Sequence, residues 1–181
     1  MTEINSGFIE KLILEYRTKP SFPENYILFT EHPEWIPALW ETVKSNKEHP
    51  FPEYAAWWWL HIGLERSDLI TSYQNEMIDL ALVNNNQSVL RSIVRVLSTL
   101  PTSPYRETEW LEKLISFLEN HDNKVALQVY ALYTLVGFVK LYPDLTSEID
   151  TLLQFKEELG LQPAMKVGIR KFRKAIANKK K

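Results

Sequence analysis

The chain has 181 residues, of which 45% are hydrophobic, 12% aromatic and 24% charged, and its formal net charge is −2. These proportions are typical of globular proteins, and a chain of this length buries enough apolar surface to fold without disulfides or a structural metal. Because the sequence contains no cysteine, disulfides, thiolate zinc sites and cysteine nucleophiles are excluded.

The N-terminal stretch MTEINSGFIEKLIL carries Glu3 and Glu10 where a secretory signal would carry positive charge. The most apolar segment runs from Val125 to Val139, about 15 residues against the roughly 18 to 20 that a membrane span needs. We therefore expect a cytoplasmic protein that does not enter a membrane, and we interpret this segment as a buried helix.

Amphipathic helical patterns alternate with short runs of Asn, Pro, Ser and Asp along the chain. Within 88–100 and 110–118, apolar residues recur at spacings of three and four, which is typical of a helix with one buried face. The intervening runs at 84–86, 101–104 and 120–123 are rich in residues whose side chains bond local backbone. The pattern predicts an all-helical chain.

Four similar helical segments recur at a spacing of about 35 to 39 residues, which is typical of helix-pair repeats. They begin at Pro52, Gln87, Asn123 and Gln162. Each follows another amphipathic segment, so the predicted unit is a helix hairpin, and the first helices are predicted at 34–45, 69–83, 106–119 and 145–159. One hairpin cannot cover its own apolar face, so stacked hairpins are expected to share a core.

Two of these segments resemble the second helices of HEAT repeats. They are Asp122-Asn-Lys-Val125 and Asn86-Gln-Ser-Val89, each of which places a helix-initiating Asp or Asn before a valine. The order of HPEWIPALWETV, EYAAWWWL, NKVALQVYALYTL and AMKVGIRKFRKAI is similar to a bacterial family of HEAT-like proteins of about this length. Members of that family are often labelled adenylosuccinate lyase.

The repeats and the resemblance predict an all-α fold, an α-solenoid of about four HEAT/ARM-like helix hairpins with an N-terminal helical cap. We predict a single domain over 1–181, with the cap at 1–33, the hairpin repeats at 34–178 and a basic tail at 179–181.

Familiar catalytic motifs are missing from the sequence. Its four histidines lie without HExxH spacing, and its five glycines are isolated, so no phosphate-binding loop is present. The carboxylates at 107, 109 and 112 belong to a predicted solvated helix face. We therefore predict no catalytic residue, no metal and no cofactor.

Three consecutive tryptophans, Trp57-Trp58-Trp59, sweep roughly 200° around a helix, which is wider than one buried stripe. In one interpretation the N-terminal helices cover the tryptophan that lies outside the buried stripe. In the other, Trp57 belongs to a shallow concave groove with aromatic and cationic character. The candidate groove residues are Trp57, His61, Arg91, Arg95 and Gln128.

Charge is segregated along the chain. Residues 1–158 carry 13 basic residues and all 23 acids, a balance of −10, whereas 159–181 carry eight basic residues and no acid. The final helix is predicted to present a basic face, either as a solvated helix end or as a surface for binding or self-association. Its residues are Lys166, Arg170, Lys171, Arg173 and Lys174.

These observations favour a non-catalytic protein-interaction or scaffold module that binds another protein or a peptide through its concave helix face, and a homodimer stays open. The alternatives are a HEAT-like DNA glycosylase or other nucleic-acid-binding protein, and a lyase as in the family label. Nucleic acid is disfavoured by the acidic balance. Lyase activity is disfavoured because the superfamily's loop, a serine pair followed by Met, Pro, Lys and Asn, does not occur here.

Overall fold

A computed structural model describes residues 4–177, which form helices and turns and no β-strand. Short 3-10 segments at 22–26, 33–35, 67–69 and 71–73 lead into several helices. The α-helices are α1 (Ser6–Tyr16), α2 (Ile27–Glu31), α3 (Ile36–Lys44), α4 (Phe51–Glu65), α5 (Gln74–Val83), α6 (Gln87–Leu97), α7 (Glu107–Glu119), α8 (Val125–Leu141), α9 (Leu145–Glu158) and α10 (Pro163–Ala177).

The helices occur where the sequence repeats predicted them. α3 and α4 match the first predicted pair, and the pairs α5–α6, α7–α8 and α9–α10 follow in register. The predicted cap contains α1, a 3-10 turn and α2. The predicted fold class, all-α with repeated helix pairs, is confirmed.

The helices cluster into two compact units, one ending at Val96 and the other beginning at Leu97. The first unit contains α1 to α6, except for the last residue of α6, and the second contains α7 to α10. The single domain over 1–181 stays a prediction.

α4 is the central helix of the first unit. It packs against α3, α1 and the 3-10 turn at 22–26. Its Trp58 and Trp59 are fully buried; the Trp59 ring lies 4.7 Å from that of Trp40, and the Trp58 ring lies 5.3 Å from that of Phe29, measured between ring centroids. Aromatic side chains of the N-terminal segments and of α3 therefore cover the tryptophan-rich face of α4.

Gly63 allows the end of α4 to approach its neighbours closely. A Cβ atom at this position would lie 2.7 Å from Ile70 Cδ1 and 2.9 Å from both Cγ atoms of Val96 on α6. Because such separations are shorter than van der Waals contact, a side chain here would displace α6 or the 3-10 turn. The absence of a side chain at Gly63 therefore allows α4 to lie close to Val96 of α6.

α8 is the central helix of the second unit. It packs against α7 on one side and α10 on the other, with fewer contacts to α9. Leu127, Leu132, Leu135 and Phe138 are fully buried, which confirms the predicted buried helix. Across the described helices, this one included, none is both long and apolar enough to cross a membrane.

The turn between α9 and α10 contains a glycine for a conformational reason. Gly160 has a φ of +91°, in the left-handed region that favours glycine, and its N–H donates to the carbonyl oxygen of Glu157 at 3.2 Å. Pro163 then occupies the first position of α10, where its missing N–H costs no helical hydrogen bond. Gly160 and Gln162 of this turn line a pocket of the second unit.

Candidate functional site

The three consecutive tryptophans of α4 have different environments. Trp58 donates from Nε1 to the carbonyl oxygen of Phe22 at 3.1 Å, and Trp59 donates from Nε1 to Met77 Sδ at 3.3 Å. Trp57 is only half-buried, yet its Nε1 is shielded from solvent and has no hydrogen-bond partner among the described residues. Trp57 is therefore the indole of this cluster that keeps part of its ring surface exposed for an external ligand, while its shielded N–H is not accessible to one.

Trp57 lines a groove of about 400 Å³ in the first unit, which we call the α4–α6 groove. α4 contributes Glu53, Tyr54 and Trp57, and α6 contributes Ser88 and Arg91. The remaining lining residues come from the segments before α4. The lining residues are Arg17, Phe22, His49, Glu53, Tyr54, Trp57, Ser88 and Arg91. The groove thus combines an aromatic floor with three basic side chains and one acid.

Some charged side chains of the groove have hydrogen-bond partners and others have none. Glu53 accepts a hydrogen bond from Asn86 Nδ2 at 2.7 Å through Oε1, whereas its buried Oε2 lies 3.5 Å from His49 Nδ1 and has no hydrogen-bond partner among the described residues. Arg17 and Arg91 form no side-chain hydrogen bond or ion pair with any residue between 4 and 177. The groove therefore presents two uncompensated guanidinium groups, which are well suited to bidentate binding of a carboxylate.

Asn86 fixes the position of α6 relative to α4. Its Oδ1 accepts from the backbone N–H of Ser88 at 3.0 Å and of Val89 at 3.3 Å, so it caps the N-terminus of α6. Its Nδ2 donates to Glu53 of α4. One amide side chain therefore starts the helix that carries Arg91 and connects it to the helix that carries Trp57.

His61 lies one helical turn beyond Trp57, and its ring contacts the Trp57 ring at a tilted angle of 58°. The two ring centroids are 4.7 Å apart, and on its other side the His61 ring stacks on Tyr26 at 5.3 Å with an interplanar angle of 24°. The Tyr26 hydroxyl donates to Glu65 at 2.6 Å, and this hydrogen bond raises the pKa of Tyr26. The His61 Nε2 is buried without a described partner, so the imidazole holds Trp57 in place by packing.

Protonation of His61 is expected to destabilise the first unit. Burial lowers the pKa of His61 below its ordinary value of 6.5, and the Glu65 carboxylate opposes this shift only in part. The folded state therefore binds fewer protons than the unfolded chain, so the free energy of unfolding rises with pH up to about 6.5.

We expect the wild-type free energy of unfolding to fall as the pH is lowered from about 7.5 to about 5.5, and His61→Gln to show a smaller fall. Urea titrations at each pH measure both slopes, and exposed His121→Gln is the control that keeps the wild-type slope. Equal slopes in the wild type and His61→Gln would contradict the conclusion that His61 causes the loss of stability at low pH.

The structure brings together part of the predicted groove. Trp57 and Arg91 line the same groove, and His61 contacts Trp57. Arg95 lies one turn further along α6, half-buried, outside the groove lining. Gln128 belongs to the second unit, where it is buried and its Nε2 donates to the carbonyl oxygen of Asn123 at 2.8 Å.

The predicted basic face of α10 is mostly solvent-exposed. Lys166, Arg170, Lys171 and Lys174 are exposed, whereas Arg173 is half-buried. Arg173 pairs with Glu157 at 2.9 Å and Asp150 at 3.4 Å, which raises its pKa and fastens α10 to α9. The basic tail at 179–181 lies outside the described residues.

Several groove residues were missed by sequence reasoning. Glu53 and Tyr54 precede Trp57 by four and three positions, so helical spacing alone would have placed them on its face. Arg17 and His49 come from segments outside the repeats, and no periodic signal connects them with α4. Within residues 4–177, no group of three or more His, Asp and Glu side chains is arranged to hold a metal ion.

Comparison with protein families agrees with the helix pairs and their order. The model of the HEAT repeat domain matches residues 24–176, which is most of the chain. The chain belongs to the HEAT repeat family. No curated protein and no solved structure is significantly similar to it. HEAT repeats generally mediate protein–protein interaction or scaffolding, and this HEAT repeat protein carries an aromatic groove lined by α4 and α6.

Proposed function

We propose that this HEAT repeat protein is a non-catalytic interaction module whose α4–α6 groove binds an acidic, partly apolar peptide segment of a partner protein. The observation that carries the proposal is the half-buried ring of Trp57, which lies in the same groove as the guanidinium of Arg91, a group with no hydrogen-bond or ion-pair partner between residues 4 and 177. Tryptophan and arginine are also the side chains that most often dominate binding energy at interfaces.

The chemistry of the groove specifies features of the peptide. Tyr54 and Trp57, both half-buried, offer aromatic surface for an apolar side chain. Arg17 and Arg91 favour a carboxylate. Glu53 opposes an acidic ligand, but its Oε1 is engaged by Asn86, and the two arginines outnumber this one carboxylate in the groove.

The DNA glycosylase alternative is less well supported. It calls for a basic surface and a buried acid between indoles, whereas Glu53 has one indole near it in the groove, Trp57, and Trp58 and Trp59 lie in the core. The balance of −10 over residues 1–158 also opposes binding to phosphates. Release of an alkylated base from duplex DNA, lost in Glu53→Gln, would favour the glycosylase over peptide binding.

A peptide selection tests the proposal. A random peptide library displayed on phage is selected against the full chain, and the affinity of each enriched peptide, labelled with fluorescein, is measured by fluorescence polarisation. We expect enrichment of peptides that combine Asp or Glu with an aromatic or aliphatic residue. Trp57→Ala and Arg91→Ala should each weaken binding by about tenfold or more, and Trp57→Phe, which keeps a smaller aromatic ring, by less.

The controls separate this groove from the basic face of α10. Circular dichroism and thermal melting verify that each variant is folded. Arg170→Ala is the matched control, because it removes an exposed arginine far along the chain from the groove and should leave the affinity unchanged. If Arg170→Ala weakens binding while Trp57→Ala and Arg91→Ala do not, the groove is not the binding site. A cytoplasmic location and a homodimeric state stay predictions.

A further inference from the structure

The second unit contains a buried lysine without a counter-ion. Lys156 of α9 is 4% exposed, and its ammonium donates to Gln128 Oε1 at 3.1 Å. That neutral amide is its one hydrogen-bond partner among the described residues, and no carboxylate between 4 and 177 lies within ion-pair distance of it. An ammonium can donate three hydrogen bonds, so two of its N–H groups have no protein acceptor.

Lys156 lines a pocket of about 500 Å³ that lies wholly within the second unit. One wall is the turn between α9 and α10, which includes Gly160 and Gln162. The opposite wall is the start of α8, with Lys124 and Val125. A volume of this size is typical of sites for small organic molecules.

The start of α8 adds positive potential to the pocket. Lys124 occupies the N-cap position and provides no side-chain cap, and the first turn of α8 contains no acid. The first N–H groups of a helix have no acceptor within the helix, and the helix dipole places positive potential at this end of the 17-residue helix. The start of α8 and a buried ammonium thus border the same space.

We propose that this pocket binds a small organic anion through a carboxylate or phosphate group, which accepts hydrogen bonds from Lys156 Nζ and from the start of α8. A buried charge is costly unless it is paired, and a bound anion would supply the missing partner. Burial lowers the pKa of Lys156, and Glu119 opposes this shift in part. Asp122, which also lines the pocket, and Glu119 disfavour polyanions, so the expected ligand carries few charges.

The hydrogen bond from Lys156 gives Gln128 a specific role. Its Oε1 accepts from the ammonium, and its Nε2 donates to the Asn123 carbonyl at the turn before α8. Gln128 therefore holds the lysine beside the helix start. This makes Gln128 a positioning residue of the pocket, separate from the α4–α6 groove.

Nuclear magnetic resonance of the full chain tests the pocket with two probes, inorganic phosphate and succinate, titrated to about 10 mM at constant ionic strength set with sodium chloride. We expect at least one probe to shift the Lys156 side-chain signal saturably, together with the backbone amides at the start of α8. Saturation by phosphate alone would assign a phosphate-bearing ligand, and by succinate alone a carboxylate ligand.

Three variants decide whether Lys156 carries the binding. Lys156→Met keeps the length and removes the charge, and it should weaken binding at least about tenfold without lowering the melting temperature, since it removes a poorly paired buried charge. Gln128→Glu supplies a built-in carboxylate beside the lysine, so it should also abolish anion binding. Lys11→Met, at an exposed lysine of α1, is the matched control and should bind like the wild type.

Absence of saturable binding of both probes to the wild type would overturn the proposal, as would equal binding by folded Lys156→Met. The peptide measurements on the α4–α6 groove are independent of this test, because the two sites share no residue.

Discussion

Leu132→Asp is expected to abolish the cooperative folding of the second unit. Leu132 is fully buried at the centre of α8, the helix that packs against both α7 and α10. An aspartate there would bury a carboxylate with no cationic partner, at a cost of several kcal/mol against a total stability of about 5 to 15 kcal/mol. We expect loss of the melting transition and reduced helical circular dichroism in this variant.

The same substitution on the exposed end of α8 provides the control. Leu141 is 56% exposed, so Leu141→Asp changes the charge and the helix propensity without burying a carboxylate. It should melt within a few degrees of the wild type. If Leu132→Asp also melts near the wild type, α8 is not the core helix of this unit and the helix order described above is wrong.

Trp58→Ala is expected to destabilise the first unit strongly, whereas Trp57→Ala is expected to leave it folded. Trp58 is fully buried between Phe22 and Phe29 and donates to the Phe22 carbonyl. Removing a buried indole costs about 3 to 5 kcal/mol and leaves that carbonyl without its donor. Trp57 is half-buried and loses no hydrogen bond on truncation.

Urea unfolding followed by circular dichroism measures both variants under the same conditions. The expected order of stability is wild type, then Trp57→Ala slightly below it, then Trp58→Ala far below. Trp59→Ala is a second test of the core, because Trp59 is also fully buried against Trp40. If Trp57→Ala is as unstable as Trp58→Ala, then Trp57 is a core residue and the groove loses its aromatic anchor.

The helices could be predicted because their signals are local. In α6, Val89, Ile93, Val96 and Leu97 recur at helical spacing, and Asn86 before them has the side chain of a helix cap. α8 is apolar around nearly its whole circumference, which is typical of a helix buried among its neighbours, and it packs against α7 and α10. Similarly, Gly160 and Pro163 marked the turn into α10.

The groove was predictable only in part, because its residues come from separate segments. Helical spacing places Glu53 on the same side of α4 as Trp57 and His61, since these residues follow one another at intervals of four. The sequence could not reveal that Trp57, rather than Trp58 or Trp59, is the half-buried indole, because all three have the same local pattern. That distinction depends on Phe22 and Phe29, which cover Trp58 from the N-terminal segments.

Lys156 shows the same limit more clearly. Its sequence context, Gln-Phe-Lys-Glu-Glu, predicts a solvated helix face, and yet the side chain is buried against Gln128 from α8. Composition, periodicity and turn chemistry thus establish the helices, their order and their pairing, because these depend on neighbours within one or two turns. Long-range packing sets which indole meets the groove and which lysine is buried, since the covering side chains lie about 30 residues away in sequence.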